Sequence, residues 1–176
     1  RVKSICQKGL LSMNRLMDPV ELKEHIREFL KEHRQASLAT CLNNIPRSSP
    51  VQYFLGADLD IYIISAGGEK FKAIAENPTV CLLVNTEYIN YRRIKGVQVF
   101  GKAKSSTGDA FLIDEAKIYA PDPYLLEYGG EELKVIKIRP YEIVYLNSLE
   151  KGDRTKQILK LNTVELKEEE KYAIKH

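Results

Sequence analysis

Between residues 36 and 65 three strand-like runs follow one another with no room for a crossover. The runs 36–42, 47–55 and 59–65 are separated only by residues 43–46, with the turn signal Asn43-Asn44, and by Gly56-Ala57-Asp58. Short turns join antiparallel strands, whereas a parallel pair needs a connection of about a dozen residues. An antiparallel sheet is therefore expected. Further strands are predicted over 79–85, 97–105 and 133–146, the last bent where Pro140 removes a ladder donor. Six strands with no evident polar edge suggest a closed barrel. The expected class is mainly β: a six-stranded antiparallel barrel with flanking helices.

The helices announce themselves by their ends. Asp18-Pro19 with Glu21 is an N-cap, a first-position proline and an early acid, and Leu22, Ile26, Phe29 and Leu30 form one apolar stripe behind them. A short helix over 70–76 ends at Asn77-Pro78. Thr107 is predicted to cap a helix reaching about Tyr119, stopped by Pro121-Asp122-Pro123, with a shorter helix over 124–128. The chain of 176 residues thus reads as one domain, 18–149, with an extension over 1–17 and a tail over 150–176. The extension holds four basic residues and no acid, which fits a transit peptide, a membrane-surface helix or a plain extension. The tail, with 13 of 27 residues charged, reads as a solvated helical or frayed segment.

Composition removes several functions. A formal net charge of +3 is too small to argue for nucleic acid, and no stretch approaches the ~18 apolar residues of a membrane-spanning helix. Three cysteines without paired spacing point to a reducing compartment, hence the cytoplasm. Cys41 and Cys81 sit inside apolar runs and read as small core residues; His25 and His33 stand eight apart, so no metal spacing exists.

Two apparent signatures fail on context. Residues 96–102 imitate a phosphate loop, but Ala103 occupies the hydroxyl position, and Val97, Val99 and Phe100 make the stretch a strand. Ser148-Leu149-Glu150-Lys151 matches a serine-lysine motif without its partner motifs. Residues 88–95 interleave aromatics with base, which fits a nucleic-acid patch, a loop lining an anionic small-molecule pocket or a solvated loop. The segment 65–72, Ser-Ala-Gly-Gly-Glu-Lys-Phe-Lys, is more informative. Glycines at a strand end, a helix start and two lysines converge there, which suits a phosphate monoester. A simple turn with solvated lysines fits the same residues.

Taken together, Ile45-Pro46-Arg47-Ser48-Ser49-Pro50-Val51, the strand 60–65, Glu69-Lys70 with Ile74, Asn77-Pro78-Thr79-Val80 and the strand 96–103 follow a family order. The chain resembles the pyridoxamine 5′-phosphate oxidase-like split barrels that bind flavin mononucleotide (FMN), over about residues 20–147. The resemblance implies a homodimer with FMN at the interface and a small-molecule redox substrate, with no nucleic acid or membrane partner. By position, Ser48, Ser49 and Val51 would line the isoalloxazine or ribityl chain, Ile64 and Ser65 the ribityl-phosphate, and Lys70 the phosphate. Gln98 would reach the flavin from the other subunit. Tyr53, Tyr62, Val97 and Val99 are the expected shared face.

The chain also departs from the pattern. Gly68 stands where the family often has a phosphate-binding serine, Glu69 where it often has a base, and Ser49 where the true oxidase has arginine. The oxidase's C-terminal Trp and Arg features are missing, which argues against pyridoxamine phosphate as substrate. The resemblance leaves three functions: an FMN-dependent oxidoreductase, a non-catalytic cofactor-binding or stress-response barrel, and a barrel using haem or a deazaflavin instead.

Overall fold

A computed structural model describes residues 15–160 together with the backbone of 163–167. Most of the basic N-terminal stretch, Cys6 and the acidic run at 168–170 lie outside the described residues. The order is α1 (Pro19–Glu32), β1 (Gln35–Leu42), β2 (Ile45–Leu55), β3 (Ile61–Ser65), α2 (Glu69–Glu76), β4 (Thr79–Asn85) and β5 (Lys95–Ser105). Then come α3 (Phe111–Lys117), α4 (Pro123–Tyr128), β6 (Lys134–Asn147), β7 (Lys156–Lys160) and β8 (Thr163–Lys167).

Every strand pairing is antiparallel, in the order β3-β2-β1-β4-β5-β6-β7-β8, and β3 also pairs with β6. Six strands therefore pair in a cycle, the split-barrel arrangement. β6 makes the split. Its first half, Lys134–Ile138, pairs with β3; its second, Glu142–Leu146, pairs with β7. Between them the β5 ladder skips Tyr141, stepping from Phe100↔Glu142 to Gly101↔Pro140. Pro140 has no N–H to give, so the bulge falls where the ladder has least to lose. Gly101 opposite is required by space: a Cβ there would stand 2.6 Å from Ile138 Cγ2.

Local chemistry explains the joints. Asn43 and Asn44, both at positive φ (51° and 61°), form the two-residue turn between Leu42 and Ile45. Asp18 caps α1 by accepting from the N–H groups of Val20 and Glu21. The stripe Leu22, Ile26, Phe29 and Leu30 is fully buried and joins the barrel interior with Leu38, Ile63, Leu82, Val97 and Val99. A second, smaller core lies outside the barrel wall, where α3 and α4 set Leu112, Ala116 and Leu126 on Tyr62 and Val135.

Three expectations need correction. The segment 156–167 is not a solvated or helical tail: β7 pairs with β6 and buries Leu159 and Gln157, and β8 pairs with β7. Lys156 and Lys160 alternate with the buried Gln157 and Leu159 along β7, which gave the sequence its tail-like charge. Thr107 does not cap a helix; Ser105 and Thr107 share a hydroxyl contact in a turn, and α3 starts at Phe111. Tyr53, Tyr62, Val97 and Val99 cannot form a shared face, because all four are buried within one chain.

Candidate functional site

At one end of the barrel β3 runs into α2 through Ser65-Ala66-Gly67-Gly68. Gly67 and Gly68 hold φ of +143° and +107°, a region that penalises any Cβ. The turn closes on itself: the Gly67 N–H donates to Ser65 Oγ at 3.3 Å, and that hydroxyl lies 3.2 Å from the Gly67 carbonyl. Lys70, in the first turn of α2, donates from Nζ to the same carbonyl at 2.6 Å. Ser65 pairs across the ladder with Lys134 of β6. The ring of Phe71, itself in the main core, organises the two cations: Lys70 Nζ is 5.5 Å and Lys134 Nζ 5.6 Å from its centroid. Among the described residues neither ammonium has a carboxylate partner. Two half-buried cations without a counter-ion, beside a glycine turn and a helix start, form an anion-attracting corner.

The residues expected to contact a cofactor divide into groups. Ser49 and Val51 share a face of β2, and one register step beyond Gln52↔Ile64 sets Val51 next to Ser65. Ser49, Val51, Ser65 and Lys70 thus meet at the same barrel end. Ser48 points to the opposite face of β2 from Ser49, as alternation demands. Ile64 packs into the second core, under α3 and α4. Gln98 lies on the outer sheet face in the cross-strand row Gln98–Leu83–Ser37–Pro50. Three strand spacings put it roughly 14 Å from Pro50. Lys134 is the residue that sequence reasoning missed; only the long-range β3–β6 pairing brings it in, and no local pattern signals that.

The outer face of β2, β1, β4 and β5 carries Pro50, Ser37, Ala39, Cys81, Leu83 and Phe100, with no charged side chain in that set. Cys41 and Cys81 belong to this face and are half-buried free thiols, not core residues; burial pushes the Cys81 thiol up. A groove of about 520 Å³ runs over it between Val51, Pro50, Ser37 and Leu83. A second, of about 260 Å³, continues across Asn85 to Gln98 and β7.

A different cation serves the structure. Lys137 is buried and lies 3.1 Å from Asp60 Oδ2, and it also donates to Glu115 of α3. Tyr62 donates to the same Glu115 oxygen at 2.6 Å, its ring stacked between Phe54 and Tyr119. Burial works against the Lys137 charge, but bonds to Glu115, Asp60 and Tyr62 outweigh it and raise its pKa. The Lys137 and Tyr62 hydrogen bonds hold the Glu115 carboxyl below its usual range, while burial and Glu115 push Tyr62 up to about 12. This network pins α3 to the barrel.

The remaining motifs resolve structurally. Residues 96–102 lie within β5, in an extended strand and not in a loop. Arg92 Nε donates to the Gly152 carbonyl and Arg93 to that of Glu150, so two of the three bases of segment 88–95 hold the β6–β7 turn, while Lys95 lies over the Phe29 and Tyr145 rings. Ser148 is buried, its Oγ 2.7 Å from the Arg92 carbonyl and 3.0 Å from the Ile94 N–H. Among the described residues no group of three His, Cys, Asp or Glu gathers for a metal, and no helix is long and apolar enough to cross a membrane. Of the two described histidines, His25 is on α1 and His33 caps its C-terminal end, where His33 Nδ1 meets the Phe29 carbonyl at 2.8 Å.

A family model described as pyridoxamine 5′-phosphate oxidase matches residues 22–147, well over half of the chain. Among curated protein sequences none matches. Solved structures share the fold. General Stress Protein 26 from Bacillus anthracis is 23% identical with a TM-score of 0.54, over 80% of this chain and 99% of its own. A FAD-binding protein from Mesorhizobium loti is 21% identical (TM-score 0.52; 73% and 94% covered). A heme binding protein from Mycobacterium smegmatis is 15% identical (TM-score 0.57; 83% and 57% covered).

Proposed function

We propose, from the premise that the chain belongs to the pyridoxamine 5′-phosphate oxidase family, that it binds FMN and acts as a flavin-dependent oxidoreductase on a small molecule. One observation carries the reading: Lys70 and Lys134 flank Phe71 beside the Gly67-Gly68 turn, with no carboxylate partner for either among the described residues. A phosphate dianion is the group that such a corner lacks. The residues present fit FMN. Lys70 and Lys134 would hold the phosphate, Ser65 and the Gly67-Gly68 backbone would orient it, and Ser49 and Val51 would flank the rest. Bound flavin would supply the electron-accepting chemistry; the chain would supply binding, orientation and exclusion of water. The FAD-binding neighbour supports flavin chemistry in general. FMN is preferred here because the corner presents one compact cation pair and the sequence has no Gly-x-Gly-x-x-Gly pyrophosphate cradle.

The same reading makes the protein a cytoplasmic homodimer. Its shared surface is the uncharged outer face around Ser37, Cys81, Leu83 and Phe100, and not the residues named from sequence. Gln98, roughly 14 Å across the sheet from Pro50, then serves a flavin held by the second copy. The haem neighbour supports a second reading less well: of the two described histidines, His33 meets the Phe29 carbonyl and His25 lies by the Tyr145 ring.

The test is a titration of the purified protein with FMN, FAD and haemin, followed by absorbance, together with light scattering. Saturable one-to-one FMN binding that is tighter than FAD binding, by a dimer, is expected. Haemin binding without FMN binding, or a monomer at micromolar concentration, would overturn the reading.

A further inference from the structure

A second group of cations stands on the outer wall of the barrel. The β4–β5–β6 register sets Thr79, Lys102 and Arg139 in one cross-strand row, and Lys104 opposite Lys137 in the next. Directly opposed side chains stand about 5 Å apart at Cβ, where like charges repel, and successive rows on one face lie about 7 Å apart. Alternation along β6 puts Lys137 and Arg139 on the face opposite to Lys134, Ile136 and Ile138, so this cluster is separate from the Lys70 corner.

The two rows differ in how their charge is met. Lys137 lies between Asp60 and Glu115, and Lys104 is paired with Asp109. The Arg139 side chain is 74% exposed, and among the described residues its acid partner is Asp60, at 3.5 Å, through the oxygen that already receives Lys137. Lys102, also exposed, donates to the Thr79 hydroxyl at 2.6 Å and has no carboxylate partner among the described residues. That hydroxyl accepts from Lys102 and keeps its own proton to donate. The uncompensated charge therefore sits in the Thr79–Lys102–Arg139 row. Between the rows is a hollow of about 310 Å³ lined by Lys102, Ala103, Lys104, Lys137 and Arg139. Ala103 belongs to the main core, so the hollow has no apolar wall.

We propose that this hollow binds an oligophosphate, of which tripolyphosphate is the simplest. With no apolar wall, recognition is by charge, and two cationic rows about 7 Å apart suit an anion whose charge is spread along a chain of linked phosphates. Arg139 offers a planar fork to one phosphate, Lys102 a point charge and Thr79 a hydroxyl donor. Lys104 and Lys137, already balanced by acids, would meet the other end of the chain. The proposal does not rest on the flavin reading.

The experiment is a calorimetric titration of the full chain, free of flavin, with sodium tripolyphosphate and with inorganic phosphate. Tripolyphosphate should bind saturably, and inorganic phosphate, which reaches one row only, about tenfold or more weakly. Lys102→Gln/Arg139→Gln should weaken tripolyphosphate about tenfold or more, and either single substitution roughly threefold or more. Lys23→Gln/Lys72→Gln, which removes the same charge from other parts of the surface, should change nothing. Lys70→Ala should leave a saturable tripolyphosphate site that still depends on Lys102 and Arg139. Loss of all binding in Lys70→Ala, equal loss in the two double variants, or equal affinity for the two phosphates overturns the proposal. A parallel FMN titration keeps the failures apart: tripolyphosphate binding without FMN binding refutes the flavin reading alone, and the reverse refutes the hollow alone.

Discussion

β6 carries two lysines three residues apart whose surroundings are opposite. Lys137 is buried among Asp60, Glu115 and Tyr62; Lys134, at the barrel end, shares the ring of Phe71 with Lys70 and has no acid partner among the described residues. Taking a cation out of water is tolerable when carboxylates receive it, and such a group then belongs to the structure. Two cations held near each other without an acid repel, and the fold keeps them together at some expense of stability. The contrast separates a residue that holds the protein together from residues that wait for an anion. Each substitution below is a way to blur that distinction.

The largest effect is expected at Lys137. Lys137→Met leaves Asp60 and Glu115 without their shared cation, with only Arg139, 3.5 Å from Asp60, as relief. A loss of about 3 kcal/mol follows, the low end for a broken buried pair, or a Tm lower by roughly 6–12 °C. Calorimetry checks it; an unchanged Tm would mean that the network is not structural. By the same contrast Lys134→Met should keep or raise the Tm.

A smaller effect concerns pH. The Glu115 carboxyl is held below its ordinary value of 4.5, so the stability it contributes is present above that value. It is lost as pH falls through the lowered native value. Urea unfolding between pH 6 and pH 3 should show stability falling with acid, and Glu115→Gln should flatten part of that slope. An identical slope in the variant would detach α3 from this network. The smallest effect belongs to Lys104, paired with Asp109 at 3.0 Å on the surface. Lys104→Ala should change stability by about 0–1 kcal/mol, near the limit of a denaturation measurement.

Much of this architecture was legible because it is local. Thr79–Asn85 came out at its observed bounds, and the Asn43-Asn44 turn and the α1 stripe follow from turn chemistry and a 3.6-residue period. β7 and β8 were not legible, since short charged strands on a sheet edge resemble a solvated tail. Lys70 and Ser65 could be found beside the glycines that shape their turn. Lys134 could not, because it arrives through β3–β6 pairing between distant segments. The shared face was misassigned for a related reason: apolar alternation shows that Val97 and Gln98 face opposite ways, but not which side is the interior.

The central claim is that the corner at Lys70 is a phosphate site, and one comparison tests it most directly. FMN and riboflavin, which differ only in the phosphate, are titrated into the wild type, Lys70→Ala and Lys72→Ala. Lys72 is exposed and has no contact with the Phe71 ring among those described, so it is the control. Loss of a charge-assisted hydrogen bond should weaken FMN binding to Lys70→Ala by roughly 10- to 100-fold, while riboflavin binding and all Lys72→Ala values stay unchanged. If riboflavin weakens as much as FMN, or if the two lysines behave alike, the phosphate site is not at Lys70.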